Sequence, residues 1–326
     1  MCRQSSDADS FSIKLTLDLG EECTAQYSLV IGSDPGRSFE IRSETCKITE
    51  AADTPSVIKG YERFRSTPVM FSLSLGIPEI QELHSSRPSL DRLYLGNLAG
   101  WPVFDALHQV LANMAFYNPA TAPMRDYQSP DPGDQLTPNG SNLASVFRTL
   151  RLNHPESADR VGEFLSAVVP RLRNVVDADV GEKVTLQFTE TEPSGTGKEK
   201  RTFYASSMSD GTLRVVAILL ALFQQSERVS LVGIEEPEMG IHPGAVEVLF
   251  DSFQEGARLR QLLVTTHSSE LLDRDDIDHD SILAFSTEEG QTLVEPFDDT
   301  VRGILRKTLS TPSEMLRKDL LGPNDP

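Results

Sequence analysis

Leu231-Val232-Gly233-Ile234-Glu235-Glu236-Pro237-Glu238 decides how this chain is read: an apolar run ends in two adjacent carboxylates. A continuously apolar run, rather than one alternating with polar residues, marks a strand buried on both faces of a parallel sheet. In open α/β sheets, ligands bind outside the carboxyl ends of such strands. There a first acid can hold Mg2+ in phosphoryl-transfer chemistry, and a second can orient or deprotonate water. Neighbouring strand residues point to opposite sides, so Glu235 and Glu236 can take different roles. Taken alone, the run is equally a buried strand followed by a solvated acidic loop.

Downstream, Leu262-Leu263-Val264-Thr265-Thr266-His267-Ser268 repeats the pattern with a histidine at its end. A histidine there can donate to a phosphate oxygen, although a lone histidine at a strand end is more often structural. Upstream, Ser206-Ser207-Met208-Ser209-Asp210-Gly211-Thr212-Leu213-Arg214 places small hydroxyl residues and a glycine before an apolar helix. Free N–H groups and the helix dipole make such an end favourable to anions. The plainer reading is an ordinary cap, with Ser209 or Asp210 at the helix start.

Around these motifs the chain alternates helix 211–225, strand 229–235, helix 243–256, strand 260–266, a short helix after 268, and strands 281–285 and 291–295. A helical tail over 300–320 closes it. Residues 183–190 and 201–205 form an expected hairpin through Pro193-Ser194-Gly195-Thr196-Gly197-Lys198. Further upstream, period-two alternation over 11–47 predicts an antiparallel meander, and residues 48–78, with Pro55, Gly60, Pro68 and Gly76, are expected to be irregular. From about 79 to 176 the period is helical. Val103, Phe104, Leu107, Val110, Leu111 and Met114 share the face of a helix opened by Pro102. A loop is expected over 118–140. Ser141 or Asn142 then caps a helix through Leu150, and another helix ends near Pro170. The expected domains are a β-meander lobe and linker over 1–78, a helical insert over 79–181, a core carrying the serine loop and the acidic and histidine strand ends over 182–299, and the tail over 300–326.

The order of serine loop, acidic strand end and histidine strand end resembles ABC-type ATPase heads of the structural-maintenance-of-chromosomes (SMC) and RecF kind. Met208-Ser209-Asp210-Gly211-Thr212 looks like the signature loop, Ile234-Glu235-Glu236-Pro237-Glu238 like Walker B with its catalytic glutamate, and Thr265-Thr266-His267-Ser268 like the switch histidine. The likeness is closer still to a group of bacterial predicted ATPases filed under the AAA name although their heads are ABC-like. That group carries the run at 209–214, Glu235-Glu236-Pro237-Glu238 with His242-Pro243, and Gly140-Ser141-Asn142-Leu143-Ala144. The resemblance implies a P-loop NTPase-like α/β fold with ATP and Mg2+ as cofactors. Glu235 would hold the metal, Glu236 would polarise the attacking water, and His267 would contact the γ-phosphate. Ser209, Gly211 and Thr212 would meet ATP bound to the opposite subunit of a head-to-head homodimer. His242 falls where the wider class often has an aspartate, which leaves that loop's role open. A separate effector protein and work in DNA repair, DNA maintenance or phage defence are implied by family analogy only.

The fold also requires Gly-x-x-x-x-Gly-Lys-[Ser/Thr], whose amides and lysine cradle the phosphates. Gly197-Lys198 is followed by Glu199, with Glu192 where the first glycine should stand, and reads as a hairpin tip. The chain therefore looks like a head lacking the Walker A strand, loop and helix, roughly 30 residues or more. Truncation, a split gene or true loss would each produce this. As it stands, the chain is expected to hydrolyse ATP weakly or not at all. The alternative function is a non-catalytic binding or dimerisation module. A third is a metal-dependent hydrolase using Glu235, Glu236, Glu238 and His242.

The 326 residues are 38% hydrophobic and 24% charged, with a net charge of −19. That charge argues against the chain alone gripping DNA, because nucleic-acid binders normally present a basic face. Cys2, Cys23 and Cys46 match neither a disulfide framework nor a metal knuckle. With no apolar run of membrane-spanning length and no signal-type N-terminus, a cytoplasmic protein is expected.

Overall fold

The computed structural model describes residues 10–318 apart from 21–22, 35–36, 51–56, 65–66, 75–76, 83–88, 195–196, 226–228, 275, 289–290 and 308–309. Contacts divide the chain into two compact units, Met1–Ala112 with Thr287–Thr292, and Asn113–Ser286 with Leu293–Pro326.

The first unit is built on a six-stranded antiparallel meander: β1 (Ser10–Gly20), β2 (Cys23–Asp34), β3 (Arg37–Glu50), β4 (Val57–Phe64), β5 (Thr67–Ser74) and β6 (Ile77–Glu82), each paired with the next. Alternation along the strands sets its inner face. Leu15 stands opposite Tyr27, Tyr27 opposite Cys46, and Cys46 opposite Tyr61. These residues pack with Leu95, Leu98 and the Phe104 and Leu107 side chains of α1 (Pro102–Ala112). The same alternation puts Glu44 and Arg63, directly paired across β3 and β4, on the buried face. Glu44 accepts hydrogen bonds from the Tyr27 and Tyr61 hydroxyls, from Arg63, and from the Tyr94 and Leu95 amides. Arg63 also donates to the Ser89 and Arg92 carbonyls at 2.6 Å each. Only such complete bonding offsets the desolvation of a buried ion pair.

Two expectations are corrected here. Residues 48–78 are not irregular, because β4 and β5 run through them. Gly60 lies inside β4, and Pro68 is the second residue of β5, near the strand start where its missing N–H costs least. Pro55 and Gly76 lie outside the described residues. The stretch 79–176 is not uniformly helical: it ends β6 and holds β7 (Met114–Tyr117) and the start of β8 (Leu172–Val180). Met114, expected on the face of α1, opens β7 instead, since α1 stops at Ala112.

In chain order the remaining elements are α2 (Thr121–Arg125), α3 (Leu143–Asn153), α4 (Pro155–Val168), β9 (Lys183–Ser194), β10 (Gly197–Tyr204), α5 (Asp210–Phe223), β11 (Leu231–Glu235), α6 (Pro243–Ala257), β12 (Gln261–Thr265), α7 (Ser269–Leu272), β13 (Leu283–Glu288), β14 (Gln291–Pro296), α8 (Asp299–Arg306) and α9 (Pro312–Arg317). The fold is mixed α/β, as expected. The second unit holds a parallel sheet in the order β12-β11-β7, an antiparallel sheet β10-β9-β8, and helices packed between and around them. Every residue of α5 from Thr212 to Phe223 except Arg214 is buried. A helix apolar on all sides belongs inside, and α5 is the spine of this core.

The β9–β10 hairpin expected from the sequence is present, but its strands run further than expected: Lys198 pairs with Pro193 and Gly197 with Ser194, residues the sequence places in the turn. Asn142 does precede α3, but its side chain is not the cap. Its Oδ1 accepts from the Thr137 amide at 2.9 Å, and its Nδ2 donates to the Gln135 carbonyl, so it ties down the preceding loop.

The two apolar strands differ from the expectation and from each other. β11 is central, and Val232, Gly233 and Ile234 are buried. β12 is an edge strand of this sheet, and its residues alternate between exposed and half-buried. Leu263 is 44% exposed and Phe116 on β7 is 57% exposed. Both stand in register with Gly233, so one face of the sheet is open at this level among the described residues. Apolar runs alone do not distinguish a strand covered twice from one covered once.

Candidate functional site

Register brings the chemistry together. β11 pairs with β12 so that Glu235 lies opposite Thr265, and with β7 so that Ile234 lies opposite Tyr117. All three strands run parallel, so Asn118, Glu235, Glu236, Thr266 and His267 gather at one carboxyl edge. This is where open α/β sheets place ligands.

The two adjacent acids are held differently. Glu235 is exposed, and its Oε2 accepts from Asn118 Nδ2 at 2.8 Å. Glu236 has φ +42°, the one positive φ among the described non-glycine residues. A non-glycine residue in this region is uncommon and costs of order 1–3 kcal/mol, so the surroundings must enforce it. Here the Glu236 amide donates to the Thr265 carbonyl at 3.0 Å, and its carbonyl accepts from the Met239 amide and the Arg214 guanidinium. The chain thus turns sharply as it leaves the sheet, at the second carboxylate.

Glu238 reaches across to the neighbouring strand end. Its Oε1 accepts from Thr266 Oγ1 at 2.6 Å and from the His267 amide at 3.2 Å. Its Oε2 is buried without a hydrogen-bond partner. His267 itself is exposed at the edge, and Ser268 caps α7 by accepting from the Leu271 amide.

Ser209 is the N-cap of α5, its Oγ accepting from the Thr212 amide at 3.1 Å, as the sequence suggests. The Thr212 side chain is buried, with its hydroxyl 2.7 Å from Ser209 Oγ. Gly211 lies against the turn that follows Glu236: a Cβ there would stand 2.5 Å from the Gly240 carbonyl oxygen, so only glycine fits. Arg125 of α2 donates to Asp210 at 2.6 Å and to the Ser206 carbonyl. The Arg125 guanidinium beside Asp210 holds its exposed carboxyl below the usual aspartate value. Arg214 leaves the buried helix to donate to the Pro119 and Glu236 carbonyls. Serine loop, acidic turn and the loop after β7 therefore form one bonded assembly.

The predicted residues are thus placed in two adjoining groups: Glu235, Glu236 and His267 at the sheet edge, and Ser209, Gly211 and Thr212 at the start of α5. Sequence reading missed Asn118, Arg214 and the strap from Glu238. β7 is only four residues long and gave no strand signal, so nothing marked Asn118. His242 caps α6: its Nδ1 accepts from the Gly244 amide at 3.1 Å.

Among the described residues no group of three or more His, Cys, Asp or Glu is arranged to hold a metal ion. The donor set still suits Mg2+, which is usually bound through one or two carboxylates together with substrate phosphates and waters. Glu235, oriented by Asn118, fits that pattern.

Residues 129–273 match the family model described as "AAA domain, putative AbiEii toxin, Type IV TA system". The matched segment contains the serine loop, the acidic strand end and the histidine strand end, in agreement with the AAA-named resemblance drawn from them. No curated protein matches the chain. Among solved structures the chain is similar to the SMC head bound to the C-winged helix domain of ScpA, with 12% identity and TM-score 0.43, covering 80% of this chain and 76% of that one. It is similar also to the SMC head domain from Thermotoga maritima, with 12% identity and TM-score 0.37, covering 79% and 75%. The head domain from Pyrococcus furiosus bound to the C-terminal domain of ScpA gives 10% identity and TM-score 0.37, covering 82% and 81%. Among the described residues no helix is long and apolar enough to cross a membrane.

Proposed function

We propose that the second unit carries the acid, switch and signature parts of an ATP-hydrolysing head that works as a head-to-head pair. Glu235 is the metal-holding carboxylate, with Asn118 orienting it. Glu236 orients the attacking water and takes its proton. His267 donates to the γ-phosphate. Ser209, Gly211 and Thr212 present the start of α5 to ATP held by a second copy, where the helix dipole favours phosphate. Bound Mg2+ supplies neutralisation of charge on the phosphate oxygens. The phosphate-cradling loop is not among these 326 residues, so in this proposal it comes from outside them. ATP-driven pairing of heads would be passed to an effector protein, in DNA repair, DNA maintenance or phage defence.

The observation that carries this reading is the left-handed backbone of Glu236. Strain at a carboxylate that directly follows Glu235, with its amide bonded to Thr265 on the histidine-bearing strand, is hard to explain as a solvated turn, for which glycine would serve. The experiment is an ATPase and nucleotide-retention assay on the native protein isolated from its own host. Turnover by wild type, with Glu236→Gln retaining nucleotide but losing turnover, supports the reading. Nucleotide retention without turnover in the wild type would make the chain a binding or dimerisation module, and retention by neither protein would refute a nucleotide site.

A further inference from the structure

The turn Pro237–Gly240 touches both halves of the site. On one side the Gly240 carbonyl packs against Gly211 at the start of α5, with no room for a Cβ between them. On the other side Glu238 holds the Thr266 hydroxyl and the His267 amide through a single oxygen. Glu236 stands at the head of the same turn, and its carbonyl accepts from the Met239 amide within it. Glu238 is half-buried, and its second oxygen is buried without a partner. Leaving a carboxylate oxygen buried and unbonded is costly, so a solvated acid merely trailing the strand would not be folded this way. The turn thus joins the serine loop to the histidine strand end through a packed contact at Gly240 and two hydrogen bonds at Glu238.

We propose that Glu238 is a positioning residue that transmits the packing of the serine loop onto His267. When Gly211 and its neighbours engage a nucleotide, the Gly240 carbonyl moves with them, and Glu238 carries that movement to the backbone of His267. In a head-to-head pair the serine loop serves one nucleotide and His267 the other, so this strap links the two within one chain. The proposal rests on the ATPase reading for its purpose. The strap itself is testable without nucleotide.

The test compares Glu238→Ala, Glu238→Gln, Thr266→Val and Gly211→Ala in the full native protein. Hydrogen exchange at the His267 amide is measured without nucleotide, and kcat and KM for Mg-ATP are measured alongside. In Glu238→Ala the amide should exchange about tenfold faster or more, because its acceptor is gone. The kcat should fall about 10–100-fold, the usual cost of losing an orienting partner, with KM changed less than about threefold. Glu238→Gln keeps an acceptor oxygen and should restore both. Thr266→Val removes one of the two anchors and should show a smaller change in the same direction. Gly211→Ala, on a different element, should also speed exchange at His267. Unchanged exchange at His267 in Glu238→Ala, or a KM effect with kcat intact, overturns the proposal. Should Glu238→Ala not fold, Gly211→Ala and Thr266→Val decide it, and unchanged exchange in both overturns it. Should the wild type bind no nucleotide, the ATPase reading fails while the exchange measurements still decide the strap.

Discussion

The Asn118 side-chain amide donates to Glu235 Oε2 across 2.8 Å, joining the ends of two adjacent parallel strands. It fixes one carboxylate oxygen, and in the proposed site the other oxygen is the one that would hold Mg2+. Partners of metal-binding groups typically contribute 10–100-fold in affinity. Asn118→Ala should therefore raise the Mg2+ concentration for half-maximal nucleotide retention about tenfold. Titrating Mg2+ against a fluorescent ATP analogue checks this, and an unchanged midpoint would remove Asn118 from the site.

The strained turn at Glu236 makes a second, opposite-signed prediction. A non-glycine residue in the left-handed region costs roughly 1–2 kcal/mol, part of which glycine returns as unfolded-state entropy. Glu236→Gly should thus raise unfolding stability by about 0.5–1 kcal/mol while abolishing turnover. Urea midpoints of Glu236→Gly, Glu236→Gln and wild type separate the two effects: Glu236→Gln keeps the strain and should not gain stability. A Glu236→Gly protein less stable than wild type would show that the turn is not strained.

Much of this site was legible because its residues are punctuation: acids, a histidine and a serine loop at the ends of apolar runs. The elements β11, β12, α5 and α6 begin and end within a few residues of where those patterns change. What was not legible depended on partners far away in sequence. Asn118 matters only because β7 pairs with β11, and four residues carry too little periodicity to announce a strand. Glu238 reads as one more acid until the register of β12 sets it beside Thr266. The exposure of Leu263 was hidden for the same reason: an apolar run reports composition, whereas coverage of a face depends on what else packs there. In the meander, Gly60 and Pro68 suggested irregular chain, but the cross-strand ladder overrode those local preferences.

Asp177 on β8 ties that strand to α3, and its behaviour should follow pH. Its side chain is 6% exposed and lies 2.6 Å from Arg148 Nε and 2.8 Å from Arg151 Nη2. Burial alone would raise its carboxyl, but the two guanidinium groups outweigh burial and hold it below its ordinary value of 3.8. A depressed folded value means the fold favours the ionised form. That stability is fully present above about 3.8 and is lost as pH falls through the lower folded value. Asp177→Asn should cost about 2 kcal/mol at pH 6, typical of charged hydrogen bonds. The gap from wild type should close below pH 3.8. Urea unfolding across that range checks it, and a gap independent of pH would assign the effect to packing.

The buried pair of Glu44 and Arg63 should dominate the stability of the first unit. Both side chains are 0% exposed, and Glu44 is the acceptor for two tyrosines, the arginine and two backbone amides. Removing one member of a buried pair strands the other charge and costs roughly 3–5 kcal/mol, whereas replacing both with apolar residues of similar volume is often neutral. Glu44→Ala should therefore destabilise strongly, and Glu44→Leu with Arg63→Met should recover much of the loss. Trp101 is the chain's one tryptophan, at the start of α1, so its fluorescence reports on this unit. Cys46, on the same face, gives an independent probe. Burial, with a further push from the Glu44 charge, raises its thiol to about 12, so it should resist alkylation at pH 8 while the fold holds. Glu44→Ala should label faster at Cys46 through more frequent opening, at denaturant concentrations where the double variant stays protected. Equal labelling of the single and double variants would mean that the tyrosines and the 89–95 segment, rather than the charge pair, hold this face together.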